Sequence, residues 1–156
     1  MLKKIGENRE IIWIDLDETI WYTVKKVLED NKIKVWNTLI KEKDVVNYYL
    51  YKIKWININQ EEAIEIFRNV YRNDFDKLLL EPVDWAKEKM KNFLDKWYEN
   101  HIVTARDWNL FSDYTEKWVD KYYKNLINKI HFANHFWNNE IPKSELCKKN
   151  WISKMI

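Results

Sequence analysis

The sequence predicts a three-layer α/β domain, with a short parallel sheet between helices and a helical insertion after the first strand. Three observations predict it. Short strand-like runs recur at residues 11–14, 101–103 and 129–133, and a brief apolar run of this length reads as a strand buried on both faces. Amphipathic helical stretches alternate with the later runs, and βα alternation argues for parallel strands joined by right-handed crossovers. Residues 20–81, between the first and second runs, look helical. The expected organisation is a core domain of residues 1–19 and 82–156 around an inserted helical segment, 20–81.

Composition narrows the class. The 156 residues suffice for one core domain with a small insertion. Hydrophobic residues at 46% and charged ones at 33% suit a globular chain better than a disordered one. The N-terminus has no apolar stretch of signal-peptide length and no run is long enough to span a bilayer, so a cytoplasmic location is the expectation. Cys147 is the only cysteine, which excludes an internal disulfide and cysteine-based zinc sites. A net charge of +2, with the signs interleaved, is too mild a footprint for nucleic acid. Ten Trp and nine Tyr could stack bases, but in a chain with one glycine such rings read as core. That glycine, Gly6, excludes Gly-rich phosphate loops. A phosphate site would have to use helix N-termini, backbone N–H groups and cationic side chains.

Taken in order, Ile11, Ile12, Trp13 and Ile14 deliver Asp15 and Asp17 at the C-terminal end of a strand, where open α/β sheets bind ligands. Residues two apart in an extended chain point the same way. Two carboxylates held so close become tolerable when a divalent cation lies between them or one carries a proton. In the insertion, Leu39, Val46, Tyr49, Leu50 and Ile53 fall near one helical face. Asn59 and Glu62 have capping-box spacing, with Ala63, Phe67, Val70 and Tyr71 as the stripe behind. Residues 24–37 are ambiguous, and Ile33-Lys34-Val35-Trp36 fits a strand or a loop. The insertion is expected over the strand ends, as a lid or cap.

Pro82 breaks the helical segment. Asp84 stands where an N-cap would, ahead of a helix carrying Ala86, Met90, Phe93, Leu94 and Trp97 and ending near Asn100. The second strand closes on Thr104-Ala105-Arg106-Asp107. Ser112 is the expected cap of the next helix, whose apolar face is Tyr114, Trp118 and Tyr122. After the third strand and a loop at 134–141, Pro142 opens a helix over 143–155 with Leu146, Cys147 and Trp151 facing inward. His131 and His135 straddle a strand end, so they lack the common face a zinc pair needs.

A carboxylate that attacks a phosphoryl group needs a cation for the phosphate oxygens, donors to hold the phosphoryl, and a second acid for the leaving oxygen. Asp15, Asp17, Thr104 and Lys143 offer these functions at strand ends and a helix start. Asp15-Leu16-Asp17-Glu18-Thr19 after a hydrophobic strand resembles the first motif of the haloacid dehalogenase (HAD) superfamily. The order is also similar: a Thr ends the second strand, and a later Lys opens a helix. The resemblance implies a HAD-like, Rossmann-like core with three strands present, and a Mg²⁺-dependent phosphomonoester hydrolase acting through an aspartyl-phosphate.

In that reading Asp15 is nucleophile and Mg²⁺ ligand, and Asp17 is general acid/base and binds Mg²⁺ through its backbone carbonyl. Thr104, Ala105 and Lys143 hold the phosphoryl group. Ile102-Val103-Thr104-Ala105-Arg106 is similar to the second motif of nucleotidase-like members, which implies a small phosphorylated metabolite as substrate, a nucleoside monophosphate first. Arg106 would meet substrate or form a surface salt bridge. Glu18 departs from the family, where a small residue is common. A further departure is the lack of the fourth motif, an acidic pair after another strand. Its absence would leave residues 11–14 as an edge strand open to self-association and deprive Mg²⁺ of a ligand. The competing expectation is therefore a truncated or non-catalytic remnant that acts as an interaction module or needs a partner to complete its sheet.

Overall fold

A computed structural model describes residues 9–17, 19–31, 34–35, 38–47, 50–54, 56–75, 80–134 and 139–155. Gly6, Glu18, Ile33, Trp36, Tyr49 and His135 lie outside the described residues. In chain order the elements are β1 (Ile11–Ile14), α1 (Thr23–Asn31), β2 (Lys34–Val35), β3 (Thr38–Leu39), α2 (Gln60–Phe75), α3 (Ala86–Asp95), β4 (Glu99–Thr104), α4 (Trp108–Tyr123), β5 (Lys129–Phe132), α5 (Lys143–Lys149) and β6 (Ile152–Met155). They fall into two compact units: Met1–Ile20 with Pro82–Ile156, and Trp21–Glu81.

The first unit is built on a four-stranded sheet of order β5-β4-β1-β6, every pairing parallel. The expected sheet had three strands, with β1 at its edge. The structure corrects both points: β1 pairs with β4 on one side and β6 on the other, so the open first-strand edge invoked for self-association does not exist. The expected helix over 143–155 stops at Lys149. Asn150 closes it, its side-chain amide donating to the Leu146 carbonyl at 2.8 Å. Trp151 then adopts a left-handed φ of 58° and lies 88% exposed rather than facing inward. This reversal lays Ile152–Met155 alongside β1. The Leu146, Cys147, Trp151 spacing imitates a longer helix, and a four-residue strand containing Lys154 is too short to announce itself.

Helices cover both faces of the sheet. On one, the buried Asn100 side chain donates to the carbonyls of Met90 in α3 and Leu126 just after α4, at 2.9 and 2.8 Å. On the other, Leu146 and Cys147 of α5 pack with Val103 and Ala133, flanked by Trp13, Ile141 and Ile152. Two helix starts differ from expectation. The N-cap of α3 is Trp85 rather than Asp84, with no side-chain cap bond. The N-cap of α4 is Asp107, whose carboxylate accepts from Leu110 N–H at 3.0 Å, so Ser112 lies inside the helix. The buried face of α4 is accordingly Phe111, Thr115, Trp118, Val119 and Tyr123. Trp97 falls in the turn beyond α3, at a left-handed φ of 68°.

The second unit is less helical than its pattern suggests. Among its described residues two helices, α1 and α2, pack together, with a β2–β3 antiparallel pair and two single 3₁₀ turns between them in the chain. The stripe drawn through residues 39–53 is not a helix: Leu39 sits in β3, and Val46 is exposed in a loop. The capping box forms as its spacing predicts. Glu62 N–H donates to the Asn59 side chain at 2.9 Å and Asn59 N–H to the Glu62 carboxylate at 2.8 Å, which starts α2 one residue after Asn59. Ala63 is buried behind it, while the side chains of Phe67, Val70 and Tyr71 lie outside the described residues.

Candidate active site

The C-terminal end of β1 is where the chemistry-bearing residues converge. Asp15 is the first residue past the strand. It turns one carboxylate oxygen back to accept from Leu16 N–H at 2.8 Å. The Leu16 carbonyl then accepts from Ile20 N–H at 3.1 Å, so the chain curls at once instead of running on extended. That curl gives the two carboxylates different partners from different parts of the unit.

Asp15 is met by Lys143, the first residue of α5. Its Nζ donates to Oδ1 at 2.7 Å and to Oδ2 at 2.8 Å, with side chains 37% and 25% exposed for Asp15 and Lys143. Pro142 fixes φ just before the helix begins and starts Lys143 in register. The Lys143 ammonium also lies 5.9 Å from the Trp13 ring centroid, within cation–π range. Trp13 is itself anchored, its indole N–H donating to the Val103 carbonyl at 3.3 Å.

Asp17 is met by Arg106, in the bend between β4 and α4. The guanidinium donates to Asp17 Oδ1 at 2.7 Å, with side chains 9% exposed for Asp17 and 2% for Arg106. This is a buried ion pair, which corrects the expectation of a surface salt bridge. A second guanidinium nitrogen donates to Thr115 Oγ1 on α4 at 3.4 Å. Thr104, fully buried at the end of β4, accepts from Arg106 N–H at 3.4 Å through its hydroxyl. Ala105 lies half-buried in the bend between them. The structure thus joins Asp15 to Lys143 directly, and Thr104 to Asp17 through Arg106.

Sequence reasoning missed Arg106 as the partner of Asp17, and missed Thr115 altogether. The available signal was a charged residue in a tight βα bend, two positions past a buried strand end. It also missed a histidine pair inside the sheet. His101 Nδ1 lies 3.0 Å from His131 Nε2, and His101 Nε2 lies 3.2 Å from Glu99 Oε2. A carboxylate can only accept, so His101 carries its proton on Nε2 and its Nδ1 accepts from His131. Burial, the neighbouring His101 and Lys129 push His131 down to about 4. Burial also lowers His101, against the opposing pull of Glu99. Cys147 is buried, and burial raises its thiol.

Hard oxygen donors are the ligands Mg²⁺ takes, and it commonly keeps several waters and substrate oxygens beside one or two carboxylates. The Asp15 carboxylate and the Asp17 carbonyl fit that pattern. Among the described residues, no three His, Cys, Asp or Glu side chains gather as a metal-ligand set. Also among the described residues, no helix is long and apolar enough to cross a membrane.

Comparison with solved structures identifies the architecture. A protein described as a predicted phosphatase from Clostridium acetobutylicum superposes with a TM-score of 0.58 at 11% identity, over 96% of this chain and 75% of that one. A haloacid dehalogenase-like family hydrolase from Streptococcus pneumoniae gives 0.59 at 11% identity, over 94% and 73%. A HAD hydrolase of family IA, variant 3, from Entamoeba histolytica gives 0.52 at 18% identity, over 92% and 71%. No protein-family model matches the sequence, and no curated protein matches it. The fold is HAD-like α/β.

Proposed function

We propose that the chain is a phosphomonoester hydrolase that works through an aspartyl-phosphate on Asp15. The observation that carries this is the reach of Lys143 across 128 positions to both carboxylate oxygens of Asp15, at the C-terminal end of an interior parallel strand. A cation so placed can pass from the resting carboxylate to the oxygens of an incoming phosphoryl group.

In the first step Asp15 Oδ attacks phosphorus, the P–O bond to the leaving group breaks, and Asp17, which must enter the step protonated on the oxygen that Arg106 does not hold, gives that proton to the leaving oxygen. In the second, Asp17 takes a proton from water as the water attacks phosphorus. The acyl-phosphate bond breaks, inorganic phosphate leaves and the Asp15 carboxylate is restored. Lys143, with donors around Thr104 and Ala105, holds the phosphoryl oxygens. Mg²⁺, held by the Asp15 carboxylate and the Asp17 carbonyl, would supply positive charge against the phosphate oxygens.

The substrate class is a small phosphorylated metabolite, with a nucleoside monophosphate as the first candidate. We assign residues 20–81 as a cap segment. The test is hydrolysis of a chromogenic phosphomonoester with and without Mg²⁺, by the native chain and by Asp15→Asn. Turnover that needs Mg²⁺ and falls by at least about 1000-fold on substitution supports the reading. Turnover that survives the substitution removes Asp15 as nucleophile, and a chain inert toward every ester tried overturns the assignment.

A further inference from the structure

Arg106 is held from several directions at once. Its backbone N–H reaches the Thr104 hydroxyl of β4, and its carbonyl accepts from Asn134 N–H beyond β5 at 3.1 Å. Its guanidinium reaches Thr115 on α4 and Asp17 beyond β1. The next residue, Asp107, caps α4, which locks the bend from the other side. Asp17 stands on a loop that curls immediately after its strand, so the strand's direction does not fix where that carboxylate points. Arg106 ties it to β4, α4 and the turn after β5.

A buried ion pair is a poor way to gain stability, because desolvating two charges cancels most of their attraction and an apolar pair of similar volume does as well. Its distinctive product is a fixed geometry. A guanidinium is a rigid, permanently charged fork, so it holds one oxygen of its partner at a set place and angle. In the hydrolase reading, that place is where the proton must meet the leaving oxygen.

We propose that Arg106 is the positioning residue for Asp17: it touches neither substrate nor phosphorus, and it sets the carboxylate in line with the leaving oxygen. The proposal rests on the hydrolase reading above. A displaced acid costs the reaction only when the leaving group needs a proton, so the role shows as dependence on leaving group.

The test compares kcat/KM on phenyl phosphate, whose leaving oxygen needs protonation, with 2,4-dinitrophenyl phosphate, whose leaving oxygen does not. Arg106→Met should lose on the order of 100-fold on the first and under about tenfold on the second. Adding Arg106→Met to Asp17→Asn should change kcat/KM on phenyl phosphate by less than about twofold, because the residue acts only through the carboxylate already removed. Asp17→Asn leaves Arg106 an amide oxygen to donate to, and the double variant removes the guanidinium as well, so this pair of variants carries the comparison even where Arg106→Met alone fails to fold. Equal losses on both esters, or losses that multiply in the double variant, would overturn the positioning role while leaving the hydrolase reading intact. A native chain that hydrolyses neither ester, or an Asp15→Asn variant as active as the native chain, would overturn the reading beneath it.

Discussion

The two carboxylates that follow β1 stand two residues apart and are built in opposite ways. Asp15 is half-open to solvent and pairs with a flexible ammonium at the start of a short helix. Asp17 is enclosed and pairs with the guanidinium of Arg106, whose backbone is tied to β4 and whose side chain is tied to α4. An exposed pair is weakly held, because water screens it and two long side chains must be ordered to make it. A buried pair cannot part without stranding a charge. One contact is therefore suited to exchange partners and the other to stay put. A nucleophile that must surrender its cation to an incoming phosphate needs the first, and an acid that must not wander needs the second.

The sharpest way to break this contrast is to remove each acid and read stability beside activity. Asp17→Ala should lower unfolding free energy by on the order of 3 kcal/mol, since Arg106 stays buried without its carboxylate. Asp15→Asn should lower it by less than about 1 kcal/mol while abolishing turnover. Denaturant melts that rank the two variants the other way would show that the burial difference does not govern their energetics. Lys143→Met comes next: kcat/KM should fall on the order of 100-fold with the melting midpoint nearly unchanged, and the residual Asp15–Lys143 attraction in the native chain should weaken with added salt.

The smallest expected effect on activity concerns the buried polar chain of Glu99, His101 and His131 in β4 and β5. The His131 pKa is held near 4 in the folded chain, below its unfolded value near 6.5. The unfolded state therefore takes up the proton first as pH drops. Stability should fall as pH goes from about 6.5 to 4, by roughly 3 kcal/mol at most. His131→Gln should remove much of that slope in thermal melts and leave kcat at neutral pH within about twofold. A slope that survives the substitution assigns the titration to other groups.

How much of this could be read from residue order depended on how local each signal was. Asp15 and Lys143 were legible because each sits beside a local marker, an apolar strand for one and Pro142 for the other. The Asn59–Glu62 box was legible for the same reason, its two bonds spanning three residues. Arg106 was not, because a lone arginine in a loop looks solvated until the partner 89 positions away is known. The histidine chain depends on strand register, which sets Val103 opposite His131 and His101 opposite Lys129. The fourth strand was hidden by helix-like spacing, and the helix end is marked by Asn150 and the left-handed Trp151. In the insertion, apolar residues at helical intervals were divided between a hairpin and single turns, where period alone misleads.

The parallel hook-up of β6 beside β1 has a consequence for biosynthesis. A ribosome emits β1 early, yet both of its neighbours and both cations for its acids come from far downstream. No local hairpin can shelter that segment in the meantime. Closing such long loops comes late and slowly, so the emerging chain holds an apolar strand that lacks one neighbour, and Asp15 without its cation, until α5 and β6 have cleared the exit tunnel. Chaperone capture of stalled nascent chains should therefore persist until that helix is out and drop sharply afterwards.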